Sequence, residues 1–240
     1  PEPAAPVRPP TIRVLNPLPY AVTVAQAVPT LLITDESLPS PIGTVRASAQ
    51  PASFTLPAAT DAPTVVDLTN HAYWNLAGPA SWDVPGSIAD HELRLPAARF
   101  LPVDAEQIPL GPLAPVAGTP FDLRRPRLLA DVVERLPSDL DHAFEVPEGE
   151  AEERAAFDGL RFAAELHHPA SGRTLTVATD RPALQVYAGG QLDVPFARGA
   201  AICLEAQHLP DVVHHPALGS IALHPGEHHR ATTELTFGTR

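Results

Sequence analysis

The chain has 240 residues, 44% of them hydrophobic, and a net charge of -12. This hydrophobic content is sufficient for a core. No apolar run approaches the ~18–20 residues of a membrane span. The sequence has no basic patch that could bind nucleic acid. Because 30 residues are proline and 14 are glycine, long helices are disfavoured and short strands joined by turns are favoured.

The counts of cysteine and lysine exclude two further kinds of chemistry. The single cysteine, Cys203, excludes an internal disulfide framework and is compatible with a reducing compartment, so we expect a cytoplasmic location. Within a strand pattern this cysteine is expected to be a small core residue rather than a nucleophile. All 16 basic residues are arginine, which excludes catalysis through a lysine Schiff base.

Residues 1–55 differ from the rest of the chain. They contain eleven prolines, one glycine and no histidine. Strand-like runs at residues 11–15, 21–27 and 30–34 are interrupted by proline, so the segment is expected either to form edge strands or to be poorly ordered. It lacks the basic start and the continuous apolar stretch of a secretory signal. The sequence therefore divides into a proline-rich segment, residues 1–55, and a β domain, residues 56–240.

From residue 56 onward, apolar residues recur with the two-residue period of strands. Strands are predicted at residues 64–69, 92–95, 160–166, 174–179, 183–187, 201–207 and 232–237. Ser171-Gly172 is typical of a hairpin turn, and residues 127–136, which follow Pro126, are the best candidate for a helix. Residues 148–154 are expected to form a charged loop or a single helical turn. This pattern predicts an all-β, antiparallel domain.

The first candidate site residue lies in residues 65–78, VVDLTNHAYWNLAG. His71 follows the point where the predicted strand runs out and is surrounded by aromatic and amide side chains. A histidine in such a place is well suited to proton transfer. The same pattern is also compatible with a partly buried histidine that is satisfied by backbone groups.

A second candidate, Glu205, lies inside the predicted strand 201–207. Alternation places Cys203, Glu205 and Gln207 on one face and apolar residues on the other. A buried carboxylate costs several kcal/mol unless it is paired, so Glu205 is either functional or joined to an arginine. Asp141 is a weaker candidate because Ser-Asp-Leu-Asp is typical of an ordinary turn. His142 beside it is expected either to support the site residues from behind or to pack.

Histidine pairs raise the possibility of a metal site. They are His167-His168, His214-His215 and His228-His229. Consecutive residues on a strand point to opposite faces, so each pair could chelate one ion only in a loop. No spacing typical of a metal site supports them, and no metal is predicted.

Several short motifs together resemble the aldose 1-epimerases, the galactose mutarotases. They follow the order of that family and comprise TNHAYWNLAG (69–78), HEL (91–93), RFLPVD (99–104), PVAGTPFD (115–122), LDHAF (140–144), QVY (185–187), ICLEAQHLPD (202–211) and PGE (225–227). The resemblance covers roughly residues 56–240. An ordered set of this kind is much more specific than any one motif.

The resemblance implies a large antiparallel β-sandwich of the galactose mutarotase type, incomplete at its N-terminal side. It implies interconversion of the α and β anomers of free aldohexoses, with Glu205 as the base, His71 as the acid and Asp141 holding sugar hydroxyls. Trp74 and Trp82 could form a sugar-stacking platform, with core packing as an equal alternative. We expect no metal, organic cofactor, nucleic-acid partner or membrane partner, and a monomer or weak dimer that acts on a monosaccharide.

One part of the family pattern has no counterpart in this chain. The family carries, on its N-terminal side, a sugar-contacting arginine and a second active-site histidine in a His-Gly-Gly stretch. Residues 1–55 contain no histidine and no Gly-Gly pair, and Arg8, Arg13 and Arg46 lie in no recognisable motif. The alternative function is therefore a non-catalytic carbohydrate-binding β-sandwich, or an inactive fragment of a mutarotase.

Overall fold

A computed structural model describes residues 62–136, 138–227 and 229–240, together with Ile12–Arg13 and Thr23–Val24. These two short segments pair as antiparallel strands and fall within two of the predicted edge-strand runs. The third run, residues 30–34, and most of the proline-rich segment lie outside the described residues. The division of the chain at residue 55 therefore stays a prediction.

The described residues form short strands with little helix. The strands are β1 (Ile12–Arg13), β2 (Thr23–Val24), β3 (Thr64–Val65), β4 (Tyr73–Trp74), β5 (Glu92–Arg94), β6 (Arg99–Phe100), β7 (Ala114–Pro115), β8 (Arg127–Leu128), β9 (Asp141–Glu145), β10 (Arg161–His168), β11 (Arg173–Thr179), β12 (Ala183–Tyr187), β13 (Ile202–Gln207), β14 (Ala222–Leu223) and β15 (Thr233–Thr239). The helices are α1 (Leu129–Val133) and α2 (Ala151–Ala155), with single 3-10 turns at Pro79–Ser81 and Pro216–Leu218.

Two antiparallel sheets face each other across one core. The five-stranded sheet has the order β15-β11-β10-β5-β8, and the six-stranded sheet has the order β4-β13-β12-β9-β6-β7. Leu166, Leu175 and Val177 of the first sheet belong to the same buried cluster as Val186 and Ile202 of the second. The predicted antiparallel β-sandwich is therefore confirmed, and burial of this shared apolar layer is its main source of stability.

Strand alternation explains which side chains enter this core. In β13, Ile202, Leu204 and Ala206 belong to the shared cluster, whereas Glu205 lies on the other face. The predicted turn at Ser171-Gly172 joins β10 to β11, where Gly172 has a positive φ of 69° that glycine adopts without strain.

Two predicted elements differ from the observed ones. The predicted strand at residues 64–69 ends at Val65 and pairs with β14 in a separate two-stranded sheet. The predicted helix at residues 127–136 begins only at Leu129, because Arg127 and Leu128 pair with β5 as β8. For residues 148–154 a charged loop or a single helical turn was expected. The structure has a short helix there, α2, over Ala151–Ala155. None of the helices in the described ranges is long and apolar enough to cross a bilayer.

A buried polar group lies where the five-stranded sheet meets the segment after β4. His91 precedes β5 and is fully buried, with its ring 4.7 Å from that of His168. Its Nε2 accepts a hydrogen bond of 2.9 Å from the Leu76 N–H, and its Nδ1 lies 3.2 Å from Asp90 Oδ1. Because Nε2 accepts, the imidazole is neutral and carries its proton on Nδ1.

We expect His91 to make the fold sensitive to acid. Burial, and then nearby His168, lower the pKa of His91 from 6.5 to about 4, while Asp90 opposes this effect. Between these values the unfolded chain binds a proton that the folded chain does not, so stability is full above pH 6.5 and is lost as the pH falls towards 4. The loss should reach about 3 kcal/mol. Urea unfolding at pH 7 and pH 4.5 measures it.

Two variants isolate the contribution of His91 to this pH dependence. His91→Gln should lose about 2 kcal/mol less than the wild type between the two pH values, since its side chain does not titrate. His214→Gln is the control, because that imidazole is 76% exposed. Equal pH dependence in the wild type and in His91→Gln would show that this histidine is not the acid-sensitive group.

Candidate active site

The face of the six-stranded sheet that points away from the shared core carries a row of polar side chains. Asp141, Tyr187, Cys203 and Tyr73 are paired in register across β9, β12, β13 and β4. Directly opposed residues in antiparallel strands project from the same face. Gln185 and Glu205 form another cross-strand pair, two residues along β12 and β13 from Tyr187 and Cys203. Because side chains alternate along a strand, this pair projects from that same face.

These side chains form a pocket of about 330 Å³, which is within the usual size range of sites for small molecules. Its lining residues are His71, Tyr73, Asp141, Tyr187, Gln191, Leu192 and Glu205. The structure therefore brings together all three residues singled out from the sequence, although 134 positions separate His71 from Glu205.

His71 reaches this pocket by a route that differs from the predicted one. It does not follow a strand over residues 64–69 but lies two residues before β4, whose Tyr73 and Trp74 pair with Cys203 and Ile202. The Asn70 side chain shapes this approach, since its Oδ1 accepts a hydrogen bond of 3.0 Å from the Ala72 N–H. Pairing of β4 with β13 is what places the imidazole beside Glu205.

The imidazole of His71 is available to a ligand. Its Nε2 lies 3.5 Å from Glu205 Oε1, and its side chain is 52% exposed. Its ring is tilted against that of Tyr73, with 5.1 Å between the centroids. The alternative of a histidine satisfied by backbone is not supported, because within the described ranges its ring makes no hydrogen bond to a backbone group.

Glu205 is the buried charge of the site, with 6% of its surface exposed. Burial raises the pKa of its carboxyl, His71 acts in the opposite direction, and Asp141 adds to the increase. The alternative of a structural ion pair with an arginine is wrong for the described part of the chain, where the ion-pair neighbour of Glu205 is His71. A half-exposed imidazole and a buried carboxylate at this distance can both exchange protons with one bound hydroxyl compound.

Asp141 occupies a strand and not the turn that its local sequence suggested. It is the first residue of β9, and its Oδ1 accepts a hydrogen bond of 2.7 Å from Gln185 Nε2. The reason for the wrong turn prediction is that β9 is stabilised by pairing with β12, which no local pattern encodes. His142 points to the other face and packs against Phe121, with 4.5 Å between ring centroids, as expected.

The sequence predicted no site role for five residues that line or support the pocket, which are Tyr73, Tyr187, Gln191, Leu192 and Gln185. Tyr73 and Tyr187 meet edge to face with centroids 6.3 Å apart, and the Tyr187 hydroxyl accepts a hydrogen bond of 2.7 Å from the Gln191 N–H. Gln185 orients Asp141. Gln185 and Tyr187 are two positions apart in β12, so strand alternation could have placed both on one face of the sheet.

The two tryptophans serve other parts of the molecule. Trp74 packs on the shared core, with its ring centroid 5.5 Å from that of Phe237. Trp82 is 42% exposed and does not line the pocket. Of the two alternatives considered for Trp74, packing is therefore correct, and the aromatic walls of the pocket are tyrosines.

Metal-ligand chemistry was considered for the same pocket. Among the described residues, His71, Cys203 and Glu205 offer ligand atoms that all lie within 4.8 Å of one another. A thiol binds metal as its thiolate, and burial raises the pKa of the Cys203 thiol well above its ordinary value. The paired histidines His167 and His168 are directed to Glu92 and Asp90 instead. The geometry thus fits proton transfer better than it fits a metal centre.

Comparison with known proteins gives a consistent result. The family model described as aldose 1-epimerase matches residues 45–236. Galactose mutarotase from Rattus norvegicus is 40% identical over 183 residues, covering 72% of this chain and 50% of that protein. Aldose 1-epimerase from Escherichia coli K12 is 35% identical over 199 residues, covering 77% of this chain and 54% of that protein.

Solved structures agree with the sequence matches. A GalM/aldose epimerase homologue from C. elegans superposes with a TM-score of 0.64 at 26% identity, covering 75% of this chain and 53% of that one. Galactose 1-epimerase from Lactobacillus acidophilus superposes with a TM-score of 0.58 at 29% identity, covering 75% of this chain and 51% of that one. The chain spans about half the length of the curated relatives it matches.

Proposed function

The chain belongs to the aldose 1-epimerase family, and from this premise we propose that it interconverts the α and β anomers of free aldohexoses such as galactose and glucose. The observation that carries the proposal is the placement of a buried carboxylate and an accessible imidazole 3.5 Å apart in one small pocket. Mutarotation requires one group that removes a proton and one that donates a proton, and this pocket holds both.

In the proposed reaction, Glu205 removes the proton from the anomeric hydroxyl while His71 donates a proton to the ring oxygen. The bond between C1 and the ring oxygen breaks, and C1 becomes the aldehyde of the open chain. Rotation about the bond between C1 and C2 exposes the other face of the aldehyde. Ring closure then reverses both proton transfers, so the protein returns to its starting protonation state. The proposed reaction uses neither a metal nor an organic cofactor.

The raised pKa of Glu205 supports its role as base. A carboxylate in water is too weak a base to remove a hydroxyl proton efficiently, and burial makes the proton-bound form more favourable. His71 limits this increase, because its positive form stabilises the carboxylate. After the first transfer Glu205 has gained a proton and His71 has lost one, so both side chains are neutral and the net charge of the pair is unchanged.

Asp141 is proposed to bind sugar hydroxyls rather than to exchange protons. Asp141→Asn should therefore raise KM by about 10-fold or more and change kcat only a few-fold, because a hydrogen bond to a charged group contributes about 1.5–3 kcal/mol. The asparagine can still accept the bond from Gln185. Initial-rate measurements over a range of galactose concentrations separate the two constants, with Asp131→Asn on the exposed side of α1 as the control. A fall in kcat alone would contradict the binding role.

A specific observation favours a second candidate, a non-catalytic carbohydrate-binding β-sandwich. The arginine and second histidine that the resemblance implies have no recognisable motif in residues 1–55. The same pocket would then bind a monosaccharide without turning it over.

We also propose a cytoplasmic location and a monomeric or weakly dimeric state.

Polarimetry distinguishes the two functions. Freshly dissolved α-D-galactose or α-D-glucose relaxes slowly to anomeric equilibrium in buffer, and the catalytic proposal expects the relaxation rate to increase in proportion to protein concentration. A parallel calorimetric titration measures binding. Heat of binding with an unchanged relaxation rate would establish the second candidate and exclude the first.

A further inference from the structure

We propose that His91, directly before β5 of the five-stranded sheet, is a positioning residue for His71, acting through the backbone of Leu76. The structural part of this inference stands on contacts alone, whereas its catalytic consequence rests on the proposed function. His71 lies two residues before β4, a strand of two residues at the edge of the six-stranded sheet. Two cross-strand pairs cannot by themselves fix the angle at which such a strand leaves its sheet, so other contacts must hold it.

The segment that follows β4 supplies those contacts. Asn75 Nδ2 donates hydrogen bonds of 2.7 Å to the Ala200 carbonyl and 3.0 Å to Ser87 Oγ. Beyond it, Leu76 uses both of its backbone polar groups: its N–H donates to His91 Nε2 at 2.9 Å, and its carbonyl accepts from Arg173 Nη1 at 2.8 Å. We call His91 and Arg173, with the Leu76 peptide groups between them, the Leu76 clamp.

One end of the Leu76 clamp lies in the opposite sheet and the other lies directly before one of its strands. His91 directly precedes β5, and Arg173 is the first residue of β11. The catalytic strand is thus tied across the sandwich to the five-stranded sheet, and not only to its neighbour β13. His71 is five residues from Leu76, with β4 between them, so a shift of Leu76 moves the imidazole relative to Glu205.

Further side chains hold the clamp residues in place. The His91 ring stacks on that of His168, and Asp90 approaches Nδ1 of the first imidazole and Nε2 of the second at 3.2 and 3.3 Å. His168 Nδ1 contacts Ser171 Oγ at 2.7 Å, and this hydroxyl lies 3.3 Å from the Leu76 carbonyl oxygen. The Nε2 of His91 faces the Leu76 N–H as an acceptor, whereas its Nδ1 makes no hydrogen bond to the described residues.

A pair of variants tests the clamp. His91→Leu removes the acceptor and leaves a buried N–H unpaired, whereas the Oε1 of His91→Gln can reach the place of Nε2. With the full chain and galactose as substrate, we expect kcat to fall about 10-fold or more in His91→Leu with KM within about 2-fold, and to recover in His91→Gln. Thr179→Val is the control, because it removes other side-chain hydrogen bonds at the same sheet, including those of 2.9 Å to the Thr232 carbonyl and 3.1 Å with Thr233 Oγ1.

Two readouts do not depend on turnover. Protection of the Leu76 amide from hydrogen exchange should be lost in His91→Leu and kept in His91→Gln. The pKa of the Glu205 carboxyl, followed by carbon NMR, should rise in His91→Leu because His71 moves away from it. If the wild type protects Leu76 but does not turn over galactose, the proposed function fails and these readouts still decide the clamp.

Unchanged kcat, Leu76 protection and Glu205 titration in His91→Leu would overturn the inference. So would equal loss of kcat in the Leu and Gln variants, since that would indicate a general need for histidine rather than for an acceptor. If His91→Leu does not fold, Arg173→Met removes the charged donor to the Leu76 carbonyl, with Ser171 Oγ remaining at 3.3 Å, and gives the same three readouts. No change in any of them would then overturn the inference.

Discussion

Replacing Glu205 with glutamine is expected to lower kcat for anomer interconversion by about 1,000-fold. Glutamine has nearly the shape of glutamate but cannot accept a proton at neutral pH, and general acid–base catalysis of this kind contributes about 100- to 10,000-fold. Polarimetry with a few micromolar protein measures the change. Residual activity should reflect only substrate binding and the remaining proton donor, His71.

Loss of activity in this variant should not result from unfolding. Glu205 is buried, and burial disfavours its ionised form and raises its pKa. A neutral side chain of the same shape should therefore not lower the free energy of unfolding at neutral pH. Glu145→Gln is the matched control, since Glu145 lies in β9 of the same sheet but is paired with Arg99 near the surface. Full activity in Glu205→Gln, or equal losses in both variants, would contradict the role of Glu205 as base.

The pH dependence of the wild type gives a related expectation. The base must be ionised, so kcat/KM should decrease as the pH falls through the pKa of Glu205. Because burial raises this pKa, the acid limb should lie above the ordinary pKa of glutamate, 4.5. A pH–rate profile for galactose measures it. An acid limb at or below 4.5 would show that another group controls the reaction.

Replacing His71 with glutamine has the second-largest expected effect, a fall in kcat of about 100-fold. The amide can still donate a hydrogen bond to the ring oxygen of the sugar but cannot transfer a proton to it. Binding should change little, because Asp141 and its partner Gln185 remain in place. Initial rates at saturating and at low galactose concentrations separate the two effects.

The same variant should also displace the acid limb of the remaining activity. His71 lowers the pKa of Glu205, so removal of the imidazole should raise that pKa and move the acid limb to higher pH. His214→Gln, which changes an exposed histidine outside the pocket lining, should leave both kcat and the acid limb unchanged. A His71→Gln variant with normal kcat, or with an unmoved acid limb, would show that the imidazole neither donates the proton nor faces Glu205.

The parts of this molecule that could be predicted from sequence are those with long local periodicity. β10, β11, β12 and β13 have five to eight residues each, and the sequence located all four. Alternation also assigned Glu205 to the face opposite the core. A period of two residues is a property of the strand itself, so it can be detected without knowledge of its partners.

The parts that could not be predicted depend on pairing between distant segments. β4 has two residues, too few for a period, and exists because it pairs with β13, so the route of His71 into the pocket was wrongly predicted. β9 carries Asp141 in a sequence typical of a turn, and its pairing with β12 overrides that preference. The hydrogen bond between Leu76 and His91 likewise joins two separate segments, the one after β4 and the one before β5. Such contacts become visible only in three dimensions.

The most direct test of the account is exchange NMR on galactose at anomeric equilibrium. Magnetisation transfer between the α and β anomeric protons reports interconversion itself, with no coupled enzyme and no initial displacement. The wild-type chain should increase the exchange rate in proportion to its concentration, and Glu205→Gln at the same concentration should leave the rate at the buffer value. An exchange rate that stays at the buffer value with wild-type protein at a concentration that binds galactose would contradict the catalytic account.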